Sequence, residues 1–192
     1  MDPLLWRHLS NAVWLIFLAY WIYSAQKLKA IKQREPGAER IIYIVIMASA
    51  YTLLFSDGLP LGLLDTRFAP DSTWLGVLGV VLSALGVGLA IWARKHLGEN
   101  WSATVTLKTD HELIRSGPYR RIRHPIYSGM LLGIVGVVLA LGKVRGLLAF
   151  AVILVSFYFK SRKEERFLSA EFGSAFAEHT RKTGMFLPRL TS

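Results

Sequence analysis

Trp74-Leu75-Gly76-Val77-Leu78-Gly79-Val80-Val81-Leu82-Ser83-Ala84-Leu85-Gly86-Val87-Gly88-Leu89-Ala90-Ile91-Trp92-Ala93 runs for 20 residues without a charge. A helix rises 1.5 Å per residue, so this run covers the roughly 30 Å hydrocarbon core of a bilayer. A soluble domain of this size disperses its apolar residues in amphipathic patterns instead. The stretch therefore sets the expectation of a membrane protein, and the rest of the chain is read outward from it.

Four more apolar blocks flank it: Asn11–Tyr23, Ile41–Phe55, Ile126–Leu141 and Gly146–Phe159. Together they predict an all-α integral membrane protein with five transmembrane helices. The last two are short and are separated by Gly142-Lys143-Val144-Arg145-Gly146, which predicts a tight helical hairpin. The 192 residues read as a single membrane domain, and the chain is 53% hydrophobic with a formal net charge of +10.

That charge is unevenly placed. Lys27, Lys29, Lys32, Arg34 and Arg40 follow the first block, whereas Arg67 stands against Asp57, Asp65 and Asp71 after the second. Arg94, Lys95, Lys108, Arg115, Arg120, Arg121 and Arg123 follow the third, only Lys143 and Arg145 mark the hairpin tip, and Lys160, Arg162, Lys163 and Arg166 open the tail. Heavy and light loops alternate, which predicts an N-terminus outside and a C-terminus in the cytoplasm. Topology accounts for the excess charge, so no nucleic-acid partner is called for. Arg7 is the only basic residue ahead of the first block apart from His8, so a cleaved leader is not expected. With no cysteine, disulfides, thiolate metal sites and a cysteine nucleophile are excluded.

Two blocks carry stripes of small residues: Gly76, Gly79, Ser83, Gly86 and Ala90, and Gly129, Gly133, Gly136 and Ala140. Small residues let helix backbones approach closely in lipid. Packing inside one bundle is favoured over a dimer seam, so a monomer is expected.

The polar stretches Arg94–Pro125 and Lys160–Ser192 fall on the same expected side of the membrane. Leu107–Glu112 reads as a turn, and Ser161–His179 as a helix with Phe167, Phe172 and Phe176 on its apolar face. The histidines lack the spacing and carboxylate partners of a helical metal site, and no nucleophile motif is present, so a metal centre is not expected. Pro125 suits the first turn of a helix, placing His124 at its cap. Free N–H groups there, with Arg120, Arg121 and Arg123 beside them, make a competent carboxylate or phosphate site, or else only mark the headgroup layer. Glu164-Glu165 either holds a ligand ammonium or forms a solvated helix face. Cations on one element and acids on another suit a zwitterionic ligand. Tyr119 and Tyr127 are interfacial anchors or aromatic walls.

His111-Glu112-Leu113-Ile114-Arg115-Ser116-Gly117-Pro118-Tyr119, then Arg123-His124-Pro125-Ile126-Tyr127-Ser128-Gly129, then Glu164-Glu165 with Phe172-Gly173 and Pro188, resembles the isoprenylcysteine carboxyl methyltransferase family. The resemblance covers about Arg94–Pro188. It implies an integral-membrane enzyme that uses S-adenosylmethionine, with phospholipid methyltransferases as relatives. It implies a cofactor held by His111, Glu112, Leu113, Ile114, Tyr119, His124, Pro125, Ile126, Tyr127 and Glu164, with Thr104 at a position where eukaryotic relatives have glutamine. Lys160 matches an arginine that meets the substrate carboxylate in those relatives, and Arg123 and Glu165 are the candidate catalytic pair. The small form looks like the prokaryotic branch, in a cytoplasmic membrane, acting on a lipophilic or lipidated substrate. Three activities remain open at this stage: carboxyl O-methylation of a prenylcysteine or similar acid, lipid N-methylation, and a non-catalytic carrier or scaffold.

Overall fold

The charge-free run forms α3, Thr73–Leu97. In the computed structural model, residues 3–25, 31–34, 37–56, 61–98, 101, 106–108 and 112–189 are described. The other α-helices are α1 (Pro3–Ser24), α2 (Gly37–Phe55), α4 (Pro125–Leu141) and α5 (Val144–Lys182). Three are long and apolar enough to cross a membrane by length and composition: the Ala38–Phe55 part of α2, α3 and α5. Helix α4 is a shorter apolar helix.

One feature departs from the all-helical expectation. Short strands β1 (Ile31–Arg34) and β2 (Thr106–Lys108) pair antiparallel, with Ile31 opposite Lys108 and Arg34 opposite Thr106. Leu107 and Lys108, expected in a turn, therefore belong to a strand. The β-branched Ile31 and Thr106 are the only local hint in segments otherwise rich in charge and polarity.

Apart from Gly76, which faces Trp6 of α1, the two small-residue stripes face each other across the α3–α4 seam. Gly76, Gly79, Ser83, Gly86 and Ala90 are buried on α3, and Gly129, Gly133 and Gly136 on α4. A Cβ at Gly79 would stand 2.6 Å from the Gly136 carbonyl, and one at Gly129 would stand 2.6 Å from the Ala90 amide nitrogen. The Ser83 hydroxyl donates to the Gly133 carbonyl at 3.1 Å. Lipid offers helices no hydrophobic reason to associate, so this backbone contact supplies the packing. Helix α1 leans on α3, and α2 on α5. Trp14, Met47, Ile134, Ile153 and Phe157 fill the core between the helices.

Gly142 caps α4 in the left-handed conformation at φ 64° and lets the chain reverse into α5. At that end Lys143 Nζ donates to Asp65 Oδ1 at 3.1 Å, and Arg145 Nη1 to the Ser56 carbonyl at 2.5 Å. The helix expected over Ser161–His179 continues α5 without a break until Gly173, whose φ of 49° turns the last stretch away. Near the opposite end of the bundle, Lys163 pairs with Glu39 and joins α5 to α2.

Candidate functional site at the charged end of the bundle

The loop before α4 is built by its neighbours. After a short 3-10 turn (Gly117–Arg120), the backbone reaches the segment that follows α5. The Arg123 amide donates to the Gly184 carbonyl at 2.9 Å, the Gly184 amide to Arg121 at 3.1 Å, and the His124 amide to Met185 at 3.1 Å. The Ser128 hydroxyl donates to the Phe186 carbonyl at 2.6 Å. The Arg123 and His124 amides, just ahead of the helix, are thus taken by backbone carbonyls.

The side chains here converge on the acidic pair of α5. Arg123 Nε donates to Glu165 Oε1 at 2.6 Å and Arg123 Nη1 to the Thr183 carbonyl at 2.6 Å. The Tyr127 hydroxyl donates to Glu164 Oε1 at 2.6 Å. His124 stands between the two acids, Nδ1 3.4 Å from Glu164 Oε2 and Nε2 3.3 Å from Glu165 Oε1. Only a doubly protonated ring can donate to both carboxylates. Burial alone would lower the imidazole pKa, but the hydrogen bonds and charges of Glu164 and Glu165 outweigh it and hold His124 above its ordinary value of 6.5. Tyr119 is buried, and that burial, with Glu164 nearby, pushes its hydroxyl well above the ordinary tyrosine range.

A cavity of about 810 Å³ opens beside this network. Of the residues the sequence singled out, Glu112, Leu113, Ile114, Tyr119, Arg123, His124, Ile126, Tyr127, Lys160 and Glu164 all line it. Pro125 is fully buried and does not line it. Glu165 is also outside the lining and acts from behind, through Arg123 and His124. Thr104 and His111 lie outside the described residues.

Sequence reasoning missed the contribution of the first two helices. Lys160 Nζ sits 4.8 Å from the Tyr43 ring centroid on α2 and 5.7 Å from that of Tyr127, so its charge is held between two aromatic faces. Trp21 on α1 meets Trp101 edge-on at 5.2 Å, and the Arg94 guanidinium lies 4.4 Å over Trp101. Arg94 also donates to the Ser24 carbonyl at 2.6 Å, which fixes the end of α1 against the site. Trp14, Phe17, Met47, Tyr51 and Phe55 extend the cavity wall far along α1 and α2. The available signal was the density of aromatics in Asn11–Tyr23 and Ile41–Phe55, but lipid-facing and cavity-facing aromatics look alike in sequence.

An apolar helical bundle with a buried, charge-paired site at one end of a long cavity defines an integral-membrane protein with a small-molecule pocket. Comparison with known proteins gives the class. The family model for phospholipid methyltransferase matches residues 74–175. Cobalt-zinc-cadmium resistance protein CzcN of Cupriavidus metallidurans is 39% identical over 161 residues, covering 81% of this chain and 64% of that protein. Protein-S-isoprenylcysteine O-methyltransferase of Saccharomyces cerevisiae is 32% identical over 115 residues, covering 58% of this chain and 48% of that one. The solved structure of the eukaryotic intramembrane Ras methyltransferase, isoprenylcysteine carboxyl methyltransferase, superposes with a TM-score of 0.55 at 25% identity, covering 77% of this chain and 52% of that chain. The chain thus spans between about half and two thirds of the length of these relatives. It belongs to the isoprenylcysteine carboxyl methyltransferase family, within the phospholipid methyltransferase group.

Proposed function

We propose that this protein is a membrane methyltransferase that uses S-adenosylmethionine to methylate the carboxylate of a prenylcysteine or a similar lipid-tailed acid. One observation carries the reading. A single cavity joins the His124, Glu164 and Lys160 cluster to the aromatic walls of α1 and α2, so a polar donor and an apolar acceptor tail have places that meet.

The residues fit the cofactor. Glu164 offers a carboxylate to an ammonium group, and Tyr119 and Tyr127 offer aromatic faces to a purine or to the groups around a sulfonium. Leu113, Ile114 and Ile126 supply apolar cover. The cofactor, when bound, supplies an electrophilic methyl group. The chain's own work is then positioning. Tyr127 and His124 fix the two oxygens of Glu164. Glu165 fixes Arg123 and His124. Lys160, between Tyr43 and Tyr127, orients the acceptor carboxylate. That carboxylate is already ionised near neutral pH, so no general base is needed. Orientation and exclusion of water account for most of the rate.

Charge supports O-methylation over N-methylation. Arg123, a doubly protonated His124 and Lys160 are matched in number by Glu112, Glu164 and Glu165, but Lys160 stands apart, between the Tyr43 and Tyr127 rings. A lysine at the aromatic end of the cavity favours an anionic acceptor and repels a protonated amine. The family model's phospholipid name keeps the lipid-amine reading as the second one, although Glu165, the base expected for it, does not line the cavity. His124, Glu164 and Glu165 converge, but among the described residues no group of three His, Asp or Glu side chains is arranged to hold a metal ion. In the membrane, the chain spans five times with its N-terminus outside, its C-terminus in the cytoplasm, and the cofactor site on the cytoplasmic face. The loop charges support this arrangement.

The test is direct. Purified protein in nanodiscs is given methyl-labelled S-adenosylmethionine with either farnesylcysteine or a phosphatidylethanolamine. Base-labile label on the acid is expected. Label on the amine alone would assign the protein to the second reading.

A further inference from the structure

Beyond the apolar block Gly146–Phe159, α5 carries a polar side chain that the network around Glu164 and Glu165 does not use. Gly173, at φ 49°, redirects the helix, and the stretch after it brings Phe176 and His179 to the cavity wall. Both are buried, Phe176 6% and His179 7% exposed. This stretch is fixed from behind. The Thr180 hydroxyl donates to the Phe176 carbonyl at 3.0 Å, and the Thr183 hydroxyl to the His179 carbonyl at 2.6 Å. The Thr183 carbonyl in turn accepts from Arg123 Nη1 at 2.6 Å. The His179 imidazole makes no hydrogen bond to any of the described residues. A buried polar group of this kind carries a desolvation cost that a ligand can relieve.

Burial, reinforced by the charges of Arg115 and Arg123, holds the His179 pKa below its ordinary 6.5. The ring is therefore neutral near neutral pH and offers one N–H donor and one bare nitrogen. Phe176, on the same helix face, and Leu113 and Ile114, just ahead of Arg115, add apolar wall. A neutral donor and acceptor beside such a wall suit a flat, uncharged heterocycle whose edge carries both kinds of group. A purine has that edge. Aromatic side chains such as Tyr119 and Tyr127 can hold the face of a base but do not read its edge. An ammonium would be repelled by the two arginines, and Glu164, ahead of the kink, already offers it a carboxylate. We infer that His179 binds the purine edge of the cofactor and so fixes the pole opposite its ammonium. The inference rests on the cofactor reading above and adds the residue that recognises the base.

The experiment measures binding of two probes to the full chain in nanodiscs by calorimetry. S-adenosylhomocysteine carries both poles, whereas 5′-methylthioadenosine keeps the purine and lacks the amino acid. His179→Phe, which keeps a buried ring but cannot hydrogen-bond, weakens both probes by the same factor of about 5- to 30-fold. Glu164→Ala weakens S-adenosylhomocysteine alone. His179→Gln, which retains a neutral donor and acceptor, loses less than His179→Phe for either probe. His179→Leu replaces the phenylalanine variant if that one fails to fold. Unchanged affinity for 5′-methylthioadenosine in a folded His179→Phe protein overturns the inference, as does a glutamine variant as weak as the phenylalanine one. A loss confined to S-adenosylhomocysteine moves His179 to the amino-acid pole and overturns the purine assignment. A wild type that binds both probes while His179→Phe binds them equally well rejects this inference and leaves the cofactor reading standing. A wild type that binds neither probe rejects the cofactor reading and this inference with it.

Discussion

Arg123 and Glu165 form the shortest ion pair at the candidate site, Nε to Oε1 at 2.6 Å, with both side chains about nine-tenths buried. A buried pair is costly to break from one side, because the survivor is left charged in a poor solvent. The pair also explains why Glu165 matters without touching the cavity: it holds the arginine and histidine that do.

Glu165→Ala should therefore destabilise the protein by about 3 kcal/mol. Arg123→Ala should do likewise. The double variant should lose less than the sum of the two, since neither partner is then stranded. Thermal unfolding of the four proteins in one detergent gives the coupling. Strict additivity would refute the pairing.

Glu164→Ala should weaken binding of S-adenosylhomocysteine by about 10- to 150-fold, the loss of one charge-assisted hydrogen bond. Tyr127→Phe, which only releases one oxygen of that carboxylate, should cost less. Calorimetry on folded variants measures both. An unchanged Kd in Glu164→Ala would remove Glu164 from the cofactor site.

If the lysine meets the acceptor as proposed, Lys160→Gln should raise KM for a tailed acid while leaving cofactor affinity within about threefold. Lys160→Arg should retain or improve activity, since guanidinium grips both carboxylate oxygens. If the acceptor is an amine, Lys160→Gln should instead be neutral or faster. Assaying both variants on both substrate classes separates the two readings.

The pKa of His124 is held above its ordinary 6.5 by Glu164 and Glu165. A group raised by folding lends stability that is complete below the unfolded value, and that stability is lost as pH climbs through the folded value. The melting temperature should therefore decline as pH rises from about 6.5 into the alkaline range. His124→Asn, with no ionising ring, should flatten that decline. The groups facing the ring are Glu164, Glu165 and the neighbouring Arg123, and the two acids stay ionised throughout this range. A wild-type profile that is already flat would contradict the doubly protonated assignment.

A reporter fused after Ser192 should behave as cytoplasmic, in line with the alternating loop charges. An external signal from that fusion would overturn the proposed topology.

Much of the site was legible because its residues sit in one polar run and one acidic pair, where charge stands out against apolar surroundings. Glu112, Tyr119, His124, Tyr127, Lys160 and Glu164 share a cavity. The two glycine stripes were legible too, because close backbone contact leaves no other choice of residue. Tyr43, Trp21 and the distal aromatics were not. An aromatic side chain in a membrane helix gives no sign in sequence of whether it faces lipid or a chamber. The strand pair was hidden for a different reason: three and four residues are too few to establish a period. The backing role of Glu165 depends on a contact across 42 positions, which no local pattern encodes.

The backbone bonds from Arg123 and His124 to Gly184 and Met185 also impose an order of assembly. Residues 184 and 185 leave the ribosome some sixty positions after the motif they brace. A nascent chain that has inserted α4 carries every histidine and arginine of the motif but not the carbonyls that hold them in place. The site can take its described form only after α5 has been delivered and the following segment has folded back onto the loop before α4.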